Sequence, residues 1–164
     1  MLIGAGSETT TNLSSGLFLT LAQRPDLFAQ LREHPELIPA AIEEQLRFVS
    51  PIQGFFRTAT RDYTIGANTI PAGARVPLLF AAANRDPRHF DDPDEFKLNR
   101  NPSDHLAFGG GIHYCLGANL AKAEMQEALA FLAPRMPGLE LDGEPVYDSV
   151  NGIYGLEALP IRFG

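Results

Sequence analysis

At 164 residues, with 45% hydrophobic and 20% charged side chains, the chain has the length and balance of one globular domain rather than of a disordered segment. A formal charge of −7 argues against a nucleic-acid or anionic-membrane binder, which would carry basic clusters. No apolar run reaches about 18 residues and no signal-peptide pattern is present, so the expectation is a cytoplasmic protein with neither nucleic-acid nor membrane partners.

The chain opens on "MLIGAGSETTT". The stretch admits three readings: a short strand Met1–Ile3 entering a phosphate loop, a helix start capped by Ser7, or the interior of a longer helix whose small residues make room for a ligand beside Glu8 and Thr9. Leu13, Leu17, Leu21, Phe28 and Leu31 then fall at helical spacing, interrupted at Pro25 and Asp26, where one helix ends and the next starts. "HPELIPAAIEEQLRFVSP" puts Ile38, Ala41, Ile42, Leu46 and Val49 on one face of a helix that Pro51 closes. Within it, Glu44 and Arg47 stand at i, i+3 and share a face, so they can pair.

From Gly54 to Asp86 short β-prone runs separated by Gly, Asn and Pro predict a small antiparallel sheet. Residues 87–117 carry several prolines and glycines and no periodicity; an irregular segment this long inside a compact domain is usually functional. Helical spacing returns with Leu116, Leu120, Ala121, Met125, Ala128, Leu129 and Leu132 as an apolar stripe, and the tail reads as strands with turns. The fold class is mainly α with small β-sheets, an α+β chain.

The single cysteine, Cys115, excludes an internal disulfide, and four dispersed histidines give no zinc-type cluster. Its setting, "FGGGIHYCLG", is spaced F-x-x-G-x-H-x-C-x-G from Phe108 to Gly117. Three consecutive glycines let the main chain approach a bulky flat ligand. The helix that follows favours a thiolate at its start, and one thiolate without other protein ligands suits an axial position on haem iron rather than zinc.

This loop resembles the cysteine-ligand loop of the cytochrome P450 family of haem-thiolate monooxygenases, in its bacterial soluble form. "EQLR" then matches the family's buried Glu44–Arg47 pair, with Arg100 as the third member and Lys97 or Arg85 as alternatives. "FFRTATRDYTIGANTIPAG" matches a segment whose arginine, here Arg57, pairs with a haem propionate, and His105 and His113 match further propionate partners. The resemblance implies haem b held by Cys115 as the iron ligand, with Phe108, Gly109 and Ala5 against it.

"GAGSETT" matches the family's long central helix, where Thr9 holds proton-delivering waters and Glu8 links them to bulk solvent. A dinucleotide fingerprint would need Gly where Thr9 stands, and a phosphate loop would need the absent G-K-(S/T). The implied activity is hydroxylation of a small lipophilic substrate with O2, fed by a ferredoxin- or flavodoxin-type donor docking near the cysteine loop and Lys122. Ile52, Phe55 and Ile153, from "PIQGFF" and "NGIYG", would line the substrate pocket. The resemblance covers nearly all of residues 1–164 but only the C-terminal, haem-binding part of the family's domain, truncated within the central helix. The competing expectation is therefore a non-catalytic remnant that binds haem weakly or not at all.

Overall fold

The computed structural model describes residues 2–100, 102–148 and 152–164, so Met1 and Asn151 lie outside the described residues. Helix α1 runs unbroken over Leu2–Gln23. Leu2 and Ile3 are thus helical rather than extended, and Ser7 lies inside the helix, where its carbonyl accepts the Thr11 hydroxyl instead of its side chain capping an end. Arg24 breaks the helical run, and Pro25 opens helix α2, Pro25–Glu33, at a first-turn position where its missing N–H costs nothing.

A 3-10 turn, Pro35–Leu37, leads into helix α3, Ile38–Val49. It ends at Ser50, whose left-handed backbone (φ 52°) turns the chain and whose hydroxyl donates to carbonyls of the last turn.

The expected single sheet resolves into two separate antiparallel pairs. Strand β1, Gly54–Thr58, pairs with β4, Arg75–Leu79, while β2, Tyr63–Ile65, and β3, Asn68–Ile70, form a hairpin of their own. A short helix α4, Phe80–Ala83, follows β4. Among the described residues of the 87–117 segment the regular structure is a 3-10 turn, Gly111–His113, before helix α5, Ala118–Leu132. The tail forms two more antiparallel pairs, β5 (Glu140–Leu141) with β8 (Ile161–Arg162), and β6 (Val146–Tyr147) with β7 (Leu156–Ala158).

The core is one cluster between helices. Leu13, Leu17 and Leu21 of α1, Leu31 of α2, Ile42 and Leu46 of α3, and Met125 and Leu129 of α5 are all buried in it. The predicted α5 stripe holds at Met125 and Leu129 and fails at its start, where Leu116 is 92% and Leu120 64% exposed. Leu116 precedes the helix, and Leu120 faces a cavity that it lines with Ala121.

The β1–β4 pair depends on a missing side chain at Gly54: a Cβ there would stand 2.3 Å from the Leu78 carbonyl oxygen. Backbone cannot yield as a flexible side chain can, so Gly54→Ala is expected to cost about 1–3 kcal/mol, read as a lowered denaturation midpoint.

Candidate functional site

Two adjacent carboxylates on α3 organise the irregular segment. Glu44 and Arg47 are wholly buried and joined by two bonds, Nε to Oε2 at 2.8 Å and Nη2 to Oε1 at 2.9 Å. Arg100 donates Nε to the same Oε1 at 3.0 Å, and the Lys97 backbone N–H does so at 2.9 Å. Lys97 thus contributes its backbone, its ammonium going to Asp92, and Arg85 pairs with Asp94 and the Phe48 carbonyl. The remaining Arg47 donors go to the carbonyls of Asn84, Pro93 and Glu95, and Arg100 donates to those of Asp91, Asp92 and Glu95. A segment without regular structure is thereby held by charge-assisted bonds to its main chain.

Asn84, 1% exposed, connects this cluster to the cysteine loop. Its amide nitrogen donates to the Ser50 hydroxyl, and its side-chain oxygen accepts the Leu106 N–H at 2.6 Å. Of the three loop glycines, Gly109 (φ +71°) and Gly111 (φ +61°) occupy the left-handed region that penalises a side chain. Gly110 is extended and has no such requirement. The Cys115 N–H donates to the Phe108 carbonyl at 3.0 Å, closing the loop, and its side chain is exposed.

Cys115 opens into a cavity of about 1800 Å³. The first turns of α1 line it with Ala5, Glu8 and Thr9; β1 supplies Phe55 and Arg57; the loop supplies Phe108, Gly109 and His113. Ile52 and Ile153, joined in an isolated antiparallel bridge, also line it. Phe55 is half exposed there and packs edge-on against Phe80, with ring centroids 6.1 Å apart. The Arg57 side chain donates to the Phe56 carbonyl, and among the described residues no carboxylate pairs with it. Arg75, which the sequence reading passed over, lines the same wall and stacks on Phe56 with its guanidinium carbon 3.9 Å from the ring centroid.

Thr9 donates its hydroxyl proton to the Ala5 carbonyl at 2.8 Å, and α1 stays continuous around it. With its only proton committed, the hydroxyl oxygen is an acceptor toward the cavity.

His105 stands apart from this set. It is not among the residues lining the cavity, its side chain is 4% exposed, and its Nε2 lies 3.0 Å from Glu43 Oε2. The hydrogen-bond partner of this ring is thus a carboxylate of the chain itself. The other Glu43 oxygen takes the Lys122 ammonium at 3.0 Å. The His105 hydrogen bond first, and Lys122 next, hold the Glu43 carboxyl below the usual carboxylate range against the opposing effect of burial. Because the folded value is lowered, this stabilisation is present above the ordinary glutamate range and is lost as pH falls through the depressed value. Glu43 carried no signal in the sequence beyond being the first of two adjacent glutamates.

Among the described residues no group of three or more His, Cys, Asp or Glu is placed to hold a metal ion, and no helix is long and apolar enough to cross a membrane. The Cytochrome P450 family model matches residues 1–133. Over 161 residues the chain is 47% identical to the Beta-dihydromenaquinone-9 omega-hydroxylase of Mycobacterium tuberculosis, covering 98% of this chain and 33% of that protein. It is 48% identical to the Biotin biosynthesis cytochrome P450 of Bacillus subtilis, covering 99% of this chain and 42% of the relative. The chain thus spans a third to two-fifths of the length of these curated relatives.

Among solved structures, P450BioI in complex with a hexadec-9Z-enoic acid ligated acyl carrier protein superposes with a TM-score of 0.94 at 48% identity, over 98% of this chain and 42% of that one. CYP109E1 from Bacillus megaterium in complex with corticosterone gives 0.95 at 40%, over 99% and 44%. With a family model matched over residues 1–133, bacterial relatives 47–48% identical and solved structures that superpose over nearly the whole chain, the chain belongs to the cytochrome P450 family.

Proposed function

We propose that residues 1–164 are the haem-binding, oxygen-activating part of a cytochrome P450 monooxygenase that hydroxylates a lipophilic organic substrate. The observation that carries the reading is the single exposed cysteine opening into a large, mostly apolar cavity beside an arginine that, among the described residues, pairs with no carboxylate. The donor set fits haem b: one thiol, a cation for a carboxylate, and open space where Cβ atoms on Gly110 and Gly111 would stand. At about 1800 Å³ the cavity exceeds an ordinary ligand pocket, which supports a flat prosthetic group together with a second organic ligand.

In this reading Cys115 ligates the iron, while Arg57 and His113 hold the carboxylates; His105 is left out, being engaged by Glu43. Phe108, Gly109 and Ala5, which line the cavity, would contact the bound group. Bound haem supplies reductive activation of O2 and insertion of one oxygen atom into the substrate. Thr9 accepts a hydrogen bond from water and orients it, and the exposed Glu8 exchanges protons with solvent. Ile52, Phe55 and Ile153 give the substrate an apolar wall. Family membership implies a ferredoxin- or flavodoxin-type electron donor.

The test is the spectrum of the reduced protein under carbon monoxide. A thiolate-type Soret band supports the reading, and a protein that retains no haem overturns it in favour of a non-catalytic remnant. Thr9→Ala is expected to keep haem occupancy while product formed per electron delivered falls on the order of tenfold or more. Loss of haem in that variant would make Thr9 a structural residue.

A further inference from the structure

Glu43 binds two segments that come from far along the chain. Its Oε2 faces His105, 62 positions away, and its Oε1 faces Lys122, 79 positions away. The His105 Nδ1 accepts the Ala107 backbone N–H at 3.2 Å, so the ring proton sits on Nε2 and is donated to Glu43. One imidazole therefore ties the α3 carboxylate to the main chain one residue before Phe108.

Lys122 completes the clamp from α5. Its ammonium lies 5.9 Å from the centroid of the Phe108 ring, within cation–π range, while the His105 ring contacts the same phenylalanine at a centroid distance of 5.9 Å. The Phe108 carbonyl is in turn the acceptor for the Cys115 N–H at 3.0 Å. The path from carboxylate to cysteine is thus continuous and short. Its centre is sheltered: the side chains of Glu43 and Lys122 are 26% and 25% exposed, and that of His105 only 4%. This separates it from an ordinary surface ion pair, which contributes little.

We propose that Glu43 is a positioning residue for the cysteine loop, its carboxylate holding His105 and Lys122 so that Phe108, and with it the Cys115 backbone, keeps one placement. Glu44 and Glu43 then divide the work of α3: the first fixes residues 91–100, the second fixes the root of the loop and the start of α5. The proposal rests on the haem reading only for its spectroscopic arm.

Amide hydrogen exchange on the purified protein tests it without reference to haem. Hydrogen bonds to a charged group are strong enough that Glu43→Ala is expected to speed exchange over residues 106–115 by about tenfold. Residues 17–31 of the α1–α2 core should keep their rates. Lys122→Met, which retains an aliphatic contact to Phe108, should give the same pattern to a lesser degree. It decides the matter if Glu43→Ala does not fold.

Unchanged exchange over 106–115, or a uniform rise along the whole chain, overturns the proposal. In the second arm, Glu43→Ala should convert part of the thiolate-type Soret band of the reduced, carbon-monoxide-bound protein to a form lacking it. A full-height band alongside loosened loop amides would limit Glu43 to a structural role and so overturn the positioning claim. If the unsubstituted protein shows no such band, the haem reading fails and the exchange arm alone decides.

Discussion

The Cys115→Ser variant is expected to lose the thiolate-type Soret band of the reduced, carbon-monoxide-bound protein entirely while keeping its fold. The chain contains one cysteine, so no second sulfur can take over the position. The side chain is exposed and buries no core surface, and its backbone N–H bond to Phe108 is untouched by the change. An exposed substitution of this kind usually shifts stability by no more than about 0.5 kcal/mol. Loss of the band with an unchanged denaturation midpoint therefore isolates ligation from folding. Survival of the band would place the iron ligand elsewhere and sink the assignment.

Glu44→Gln is expected to be the most destabilising single change near the site. The carboxylate accepts four hydrogen bonds, two from Arg47 and one each from Arg100 and the Lys97 main chain, with no exposure to water. An amide turns one acceptor into a donor aimed at other donors, and it leaves the wholly buried Arg47 guanidinium without its counter-charge. Breaking one side of a buried pair costs about 3–5 kcal/mol, a large share of the roughly 5–15 kcal/mol that separates folded from unfolded chains. The check is equilibrium denaturation: the midpoint should fall with little change in slope. A loss below about 1 kcal/mol would put this cluster in the class of exposed ion pairs and remove its organising role.

The helices were legible because their apolar residues recur at the right period and because prolines mark their starts. Pro25 separated α1 from α2, and of the predicted α3 face Ile38, Ala41, Ile42 and Leu46 are buried while Val49 is half-buried. Periodicity marks an apolar stripe without saying what it meets: Leu120 lines the cavity, and Leu116, ahead of the helix, is exposed.

The cysteine loop was legible through residue types that serve few other purposes, glycines above all, though only Gly109 and Gly111 use their freedom. The ion cluster was half legible: a spacing of i, i+3 puts Glu44 and Arg47 on one face, but burial is what makes the pair matter. The carboxylate that His105 faces was not legible, because residue type alone does not say which acid a histidine meets. Only three-dimensional placement reveals Glu43 beside it. Adjacent glutamates on a helix look alike in sequence, and their divergence toward different partners is a property of the packing.

The bonds that fix the irregular segment also bear on the order of folding. They join residues 53 to 79 positions apart, from Glu44 to Lys97 and Arg100 and from Glu43 to His105 and Lys122. Such contacts form only after long loops close, and their entropic cost falls before the contacts can repay it. The helices, built from local bonds, have no such requirement. The cysteine loop is therefore expected to close late, together with the packing of α1 on α5, where Ser14 meets Met125 across 111 positions.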